Sequence, residues 1–407
     1  MNKTSPIQSK LLSKINERLV LRMIQDCGPS TRAEMSKMIG ITFPTVAKAV
    51  TSLLDSKLLE EIDEVSTGPG RPAKLLRLAS ENSQVIGVTL SSSECMVASA
   101  GLNGVIYPES SQSFISPSTY DAVLIETTRR VKKLMLASGR STLIVGVSVP
   151  SVVDYQEQRA IFSANMPMLN GKCLGSDLQG LLGVECLIVR DTHALSLSER
   201  LQEKEEEEVA ANFAMLDLCG GIGLGLMVDG NFLTGNSGFA GELGHIPIVP
   251  EGDICRCGKK GCLETVASEW ALEAKVSLAL RRTVKMHEIL EMARAGHRQV
   301  LAELENMCHY LAIGVAHVVN IINPGTFYIF GRVFQACPHL LDFLVENTKQ
   351  YALEPSFTSC RFTQARGGVM DGTIASIINY LTDSRVPDLD GYVRFAGVPI
   401  NRSLVAP

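Results

Sequence analysis

No run of apolar residues in this 407-residue chain is long enough to span a bilayer, which excludes a body built on transmembrane helices. The opening MNKTSPIQSK also lacks the apolar segment and small-residue cleavage site of a secretory signal, so a cytoplasmic location and no membrane partner are expected. Positive charge is in short supply: 38 Lys and Arg stand against 43 Asp and Glu, and the net −5 argues against a dedicated nucleic-acid binder. A disulfide pattern is missing too. The eleven cysteines are an odd number and most lie singly along the chain, as suits reduced thiols. What remains is 45% hydrophobic content and enough length for two or three domains with packed cores.

The positive charge that exists is concentrated at one end. Residues 1–80 hold 12 Lys and Arg against 8 Asp and Glu, so this stretch carries +4 and the other 327 residues carry −9. A small basic module on a larger acidic body is expected when one part meets phosphate and the other does not. Within it, Leu11, Leu12, Ile15, Leu19, Val20, Met23 and Ile24 recur at three and four and predict a helix over 7–26, stopped by Cys27-Gly28-Pro29. Ser30 or Thr31 caps a short second helix, with Glu34 completing a capping box on Thr31. Gly40 breaks that helix, and Thr42 caps a third, with Pro44 near its first turn and Val46, Val50, Leu53 and Leu54 along its buried stripe.

Three helices with a tight glycine-bearing turn between the last two predict a helix-turn-helix, and strands over 58–62 and 74–78 follow as a hairpin. Thr42, Phe43, Thr45 and Lys48, early in the third helix, are then the candidates for base edges and phosphates of double-stranded operator DNA. Arg71, between Gly70 and Pro72 at the hairpin tip, could reach a minor groove. The alternative is a three-helix interaction or dimerisation module with a solvent loop. Residues 80–83 read as a linker.

Beyond the linker, strands and helices alternate and predict an α/β body. Strands are expected over 84–100, 142–149, 186–189, 213–218 and 326–330, with helices over 120–138, 309–322 and 371–381 and one from Asp191 through Arg200. The run EKEEEE at 203–208 reads as a solvated helix end or loop. The cluster Cys219-Gly220-Gly221-Ile222-Gly223-Leu224-Gly225 has two readings. Its glycines could bring backbone N–H groups to a phosphate, or could simply let two elements pass closely.

The densest chemistry lies in GELGHIPIVPEGDICRCGKKGCLE, residues 241–264. His245, Cys255, Cys257 and Cys262 place one imidazole and three thiols on a short leash, with Gly258 and Gly261 between the last two cysteines. Zinc takes four tetrahedral N and S ligands, and such a loop has too few apolar side chains to order itself. Buried spare cysteines are the bland alternative, but Arg256, Lys259 and Lys260 between them could not be buried. A closed Cys3His set leaves no open position, so Zn2+ here is expected to be structural.

An N-terminal winged helix-turn-helix joined to an α/β body that carries Glu242-Leu243-Gly244-His245 and Cys255-Arg256-Cys257-Gly258 through Gly261-Cys262-Leu263-Glu264 resembles the ROK family, which groups bacterial sugar-responsive repressors with sugar kinases. The resemblance implies a two-lobed actin-like, hexokinase-like ATPase fold with sugar in the cleft. Residues 1–80 are then the DNA-binding domain. Residues 81–192 form the first lobe, completed by the C-terminal helix 371–382, and 193–370 form the second, with the zinc site and dimerisation helices. Residues 383–407 are a tail.

Carried over by position, the resemblance implies that Asp191, Glu242, His245 and Glu264 hold sugar hydroxyls, with Asn165 as a further cleft position. Where family kinases have an aspartate, a glycine pair and a threonine to handle phosphate, this chain has Thr89, Ser91 and Ser92 within Ile86-Gly87-Val88-Thr89-Leu90-Ser91-Ser92-Ser93. Thr89 supplies no charge and the serines obstruct close backbone approach, so Asp191 is left as a vestigial base and no enzyme activity is expected. The implied function is a sugar-responsive repressor of sugar-utilisation genes, acting as a homodimer or higher oligomer. Xylose is the preferred effector among sugars that include glucose and N-acetylglucosamine. The alternatives are an active sugar kinase with a DNA-binding appendage, and a regulator controlled by a protein partner.

Overall fold

The computed structural model describes residues 6–63, 74–203 and 211–383. Helices α1 (Pro6–Cys27), α2 (Arg32–Ile39) and α3 (Phe43–Asp55) are followed by the antiparallel pair β1 (Leu59–Asp63) and β2 (Lys74–Leu78). The caps explain the punctuation. Thr31 Oγ1 accepts the Glu34 N–H at 3.3 Å while Glu34 Oε2 accepts the Thr31 N–H at 2.7 Å, and Gly40 ends α2 in the left-handed region at φ 75°. Thr42 sits at the start of α3 without capping it. Its hydroxyl meets that of Thr45 at 2.8 Å instead. Val20, Met35, Val46, Val50 and Leu53 form the centre where the three helices meet. Arg71, residues 204–208 of the acidic run and the tail from 384 onward lie outside the described residues.

The body consists of two five-stranded sheets. The first has the order β5-β4-β3-β6-β9 and uses β3 (Ser83–Thr89), β4 (Glu94–Ala100), β5 (Gln112–Ile115), β6 (Ser141–Val149) and β9 (Cys186–Arg190), with α4 (Tyr120–Ser138) and α5 (Leu174–Leu182) in its crossovers. A small hairpin of β7 (Val152–Asp154) and β8 (Arg159–Phe162) precedes α5. Helix α6 (Asp191–Glu203) leads to the second sheet, of order β12-β11-β10-β13-β14, made of β10 (Phe213–Asp217), β11 (Gly223–Val228), β12 (Asn231–Phe232), β13 (Thr326–Phe330) and β14 (Arg361–Gln364). Helices α7 (Glu264–Ala267), α8 (Glu269–Leu280), α9 (Met286–Arg294), α10 (Arg298–Ile322), α11 (Arg332–Ala336), α12 (His339–Lys349) and α13 (Glu354–Thr358) intervene, and α14 (Val369–Asp383) closes the description.

Each sheet runs as an antiparallel meander of three strands extended by two parallel strands on the other side of its first strand. The second sheet therefore repeats the topology of the first. Helix α14 returns to the first sheet, where Met370 and Ile374 fill the space over Gly87 and Ile377 that over Gly146. It also crosses α6 so tightly that a side chain on Gly372 would strike the Ala194 carbonyl. No helix among the described residues is long and apolar enough to cross a membrane.

Residues 80–83, expected as a linker, are instead locked down. Ser80 and Ser83 are buried, and the Glu60 carboxylate accepts the N–H groups of Ser80 at 3.1 Å, Glu81 at 3.2 Å and Asn82 at 3.3 Å, together with Arg77 Nε at 2.8 Å. The buried Ser80 N–H needs such an acceptor, and the same carboxylate also serves the next two N–H groups, of the more exposed Glu81 and Asn82. Tyr107 Oη adds a bond to the Ser80 carbonyl, and Lys57 Nζ reaches Ser141 Oγ at 2.6 Å. Around this junction one apolar cluster runs from Val20 and Leu53 through Leu58 and Ala79 to Val85, Ala98 and Ile374.

Burial pushes the Glu60 carboxyl up, but the Ser80 N–H and Arg77 guanidinium hold it below the usual carboxylate range. Its stabilisation is thus complete above the unfolded carboxyl range and lost as pH falls through the lowered value. Glu60→Ala should destabilise the protein by about 3 kcal/mol in denaturant titrations at pH 7. The gap to the wild type should shrink as pH falls below about 4. Equal stability at pH 7 would refute the clamp.

Candidate ligand cleft and metal-ligating loop

The cleft between the sheets is formed where strands end. Asp191 follows β9 directly as the first residue of α6, Asp217 ends β10, and Pro150 and Ser151 follow β6. Asn165 comes from the loop after β8, Glu242 and His245 from a short 3-10 turn after β12, and Glu264 begins α7. All five expected cleft residues, Asn165, Asp191, Glu242, His245 and Glu264, line one space, together with Asp217, Arg190 and Gly221. Ligands of open α/β sheets lie outside the carboxyl ends of strands for the same topological reason.

Glu264, only 2% exposed, is the hub. Its Oε1 accepts the Ile222 N–H at 3.1 Å and Asn165 Nδ2 at 3.3 Å, which ties a second-sheet loop to a first-sheet loop. A Cβ on Gly221 would collide with both Glu264 and Asn165, so glycine is needed there for close approach. Gly223 and Gly225 face Thr192 and Ser196 on α6 at van der Waals limits, which favours the packing reading for that part of the cluster. Arg256 Nη1 donates to Asn165 Oδ1 at 2.9 Å while its guanidinium lies 4.7 Å from the Trp270 ring centre.

Arg190 and His193, flanking Asp191 and Thr192, take separate paths. The Arg190 guanidinium donates to Glu242 Oε1 at 2.6 Å and to the carbonyls of Ala240 at 3.0 Å and Gly238 at 3.3 Å, so it pins the loop that carries Glu242. His193 stacks on Phe232 at 4.2 Å with its Nδ1 2.8 Å from Tyr155 Oη; burial drives its pKa down to about 3, so it is a neutral core residue. Burial pushes Asp191 up to about 6 despite the opposing Arg190 charge. Asp217 was not foreseen. It closes the apolar strand FAMLD, accepts the Cys219 N–H at 2.9 Å, and is pushed up to about 8 by burial and then by the Asp191 charge. The one sequence signal was an acid ending an otherwise apolar strand.

In the loop that holds His245, the ligand atoms of His245, Cys255, Cys257 and Cys262 lie within 4.8 Å of one another. His245 Nδ1 is 3.6 Å from Cys255 Sγ, and Cys257 Sγ is 3.7 Å from Cys262 Sγ. Tetrahedral zinc bonds of ordinary length would set such edges at roughly 3.5–3.8 Å, so the donor set fits that ion. Gly258 and Gly261 turn the chain at φ 86° and 71°, and the Gly258 N–H donates to the Cys255 carbonyl at 2.8 Å. With Nδ1 facing the thiols, His245 Nε2 is turned toward Glu242 Oε2, 3.9 Å away.

The remaining expected residues lie elsewhere. Thr42, Phe43 and Lys48 are exposed and Thr45 half-buried in the N-terminal part of α3, and none of them lines the cleft. Thr89 ends β3, and Ser91 Oγ accepts the N–H groups of Ser93 and Glu94 while donating to the Glu94 carbonyl at 2.7 Å. That serine therefore engages two N–H groups of its own turn, those of Ser93 and Glu94.

A family model described as ROK family matches residues 85–378. The chain belongs to the ROK family. Among ROK relatives, a xylose repressor of Bacillus spizizenii is 26% identical over 333 residues, covering 81% of this chain and 85% of that protein. The DNA-binding transcriptional dual regulator NagC of Escherichia coli is 24% identical over 373 residues, covering 87% of this chain and 86% of its own. Among solved structures, a ROK transcriptional regulator described as a homologue of the E. coli MLC protein superposes with a TM-score of 0.76 at 24% identity, over 92% of this chain and 98% of its own. A ROK glucokinase from Streptomyces griseus, solved with glucose and AMPPNP, gives 0.64 at 20% identity over 72% and 97%. The shared fold is the actin-like, hexokinase-like α/β architecture, and the regulator alignment extends it over the N-terminal helices.

Asp217 gives the cleft a pH signature. Because its folded pKa lies above the unfolded value, ionisation of Asp217 costs the wild type stability as pH rises from about 4 towards 8, and Asn at 217 removes that contribution. The thermal midpoint of Asp217→Asn should exceed the wild type's by roughly 3 °C or more at pH 8–9 and converge with it near pH 4. An offset that stayed constant across that range would deny the ionisation effect.

Proposed function

We propose that this ROK protein is a homodimeric, sugar-responsive transcriptional repressor. The observation that carries the reading is the convergence of Asn165, Asp191, Glu242, His245 and Glu264 in one cleft, in a chain whose basic N-terminal module leads α3 with exposed Thr42, Phe43 and Lys48. Carboxylates accept from vicinal hydroxyls and His245 Nε2 donates to one, which is the chemistry of polyol recognition. The module acts as a winged helix-turn-helix. Two copies in the dimer read half-sites of a pseudo-palindrome, with Thr45 and Lys48 at the groove and Arg71 reaching beyond it. Relatives named as xylose repressors and as NagC support the repressor class, and xylose is the first effector to try.

His245 Nδ1 and the thiolates of Cys255, Cys257 and Cys262 would hold Zn2+, which when bound cross-links the loop. The chain's own residues do the recognition: Glu242 is oriented by Arg190, and Glu264 by Ile222 and Asn165. A sugar contacting both Asn165 and Glu242 favours one arrangement of the two lobes, and differential affinity of about 1–3 kcal/mol suffices to shift the DNA-binding geometry. Phosphoryl transfer is not part of the function, since Thr89 brings no charge and Ser91 occupies the N–H groups of Ser93 and Glu94.

Fluorescence anisotropy on DNA from the protein's own upstream region, at fixed salt with a sugar panel, tests this reading. One sugar should release specific binding, and Asp191→Asn should need about 10- to 100-fold more of it while binding DNA normally without sugar. Sugar-dependent ATP turnover, or specific binding that no sugar alters, would overturn the proposal. A folded Cys257→Ser protein should hold less zinc, melt below the wild type and respond more weakly to sugar. An unchanged sugar response would separate the metal from the cleft.

A further inference from the structure

Strands β10 and β13 are parallel neighbours, and beyond their C-terminal ends the chain turns through Cys219-Gly220-Gly221 and through Gly331-Arg332. A phosphate settling outside these strand ends would take the backbone N–H groups of the glycine turn. That position is filled by the chain itself. The Gly220 N–H donates to Glu269 Oε2 at 2.9 Å. Arg332 takes the same carboxylate through both of its arms, Nε to Oε1 at 2.9 Å and Nη2 to Oε2 at 2.5 Å.

Glu269 is the first residue of α8 and is 5% exposed. The helix is capped by Ser268, whose Oγ accepts the Ala271 N–H at 3.2 Å, so the Glu269 carboxylate is not needed as a cap. Arg332 opens α11, directly after the turn that ends β13. Across the gap, Ser92 Oγ of the first lobe comes within 3.3 Å of where a side chain on Gly220 would begin. The two loops that would embrace a phosphoryl group thus meet at this ion pair.

We propose that Glu269 and Arg332 form a built-in stopper that decides which ligands the cleft admits: the carboxylate stands where a nucleotide phosphate would sit, and the guanidinium neutralises it. An incoming phosphate meets a like charge, an N–H already engaged and an arginine already bidentate. The sugar side, formed by Asn165, Asp191, Glu242 and Glu264, stays open. This rests on the proposed function only in treating that side as the effector site.

The test is calorimetric titration of full-length wild type, Glu269→Ala, Glu269→Gln and Arg332→Ala with pyrophosphate and with ADP, each in magnesium, after circular dichroism has established folding. Removing the carboxylate frees both the Gly220 N–H and the Arg332 guanidinium, so Glu269→Ala should bind pyrophosphate at least about 10-fold more tightly than wild type. Glu269→Gln keeps the volume and decides the matter if the alanine protein does not fold. Arg332→Ala should show no gain. Wild type binding as tightly as the Glu269 variants, or folded Glu269 variants gaining nothing, would overturn the stopper. Operator binding and its response to sugar, measured on the same wild-type preparation, report separately on the proposed function.

Discussion

Between Phe232 and Glu264 the chain carries no α-helix and no strand, yet Glu242, His245 and Glu264 all reach the cleft from this segment or its end. Its order depends on a few polar fixings. One is the meeting of His245 with three cysteines; another is Arg190, whose guanidinium holds two carbonyls of the loop as well as Glu242. A third is the hydrogen-bonded crossing of Ile248 and Val249 with Gly261, where any side chain would strike the Val249 carbonyl. Leu243 and Leu263 anchor the segment in the core of the second sheet, with Ile248 packed against it, and between those anchors the loop takes its shape from directional bonds.

Much of the architecture was legible because its causes are local. The Thr31–Glu34 capping box, the stop at Gly40 and the 19-residue helix from Tyr120 are written in neighbouring residues. The cleft residues were legible for another reason, since Glu242, His245 and Glu264 sit inside a recognisable motif. Asp217, the Arg190–Glu242 pair and the Glu60 clamp were not, because each depends on segments that meet only after folding. Arg190 and Glu242 are 52 positions apart, and Glu269 and Arg332 are 63. The hairpin β7–β8 was missed because three and four residues are too few to set a period.

The repeated sheet topology was equally hidden. Hydrogen-bond order is a property of pairing and not of composition, so two copies of one topology can carry unrelated side chains. The second copy also holds long helical insertions, α8 to α10, between β12 and β13, which lie on opposite sides of β10 and β11 in the sheet. Around the cleft, this arrangement gives each sheet one set of strand ends facing the other. Among the acids gathered there, burial pushes Asp191 and Asp217 towards their neutral forms.

The unbroken apolar cluster from α1 to α14 bears on how separable the parts of this molecule are. Leu58 and Ala79 from the N-terminal side share one interior with Val85 and Ala98 of the first sheet and Ile378 of α14. Severing the chain at residue 80 would therefore leave a greasy scar on both pieces and strip Glu60 of the N–H groups it serves. The seam that sequence places between module and body is, in the folded protein, an interior wall. Grafting this module onto another body would require carrying the matching face of the first sheet along with it.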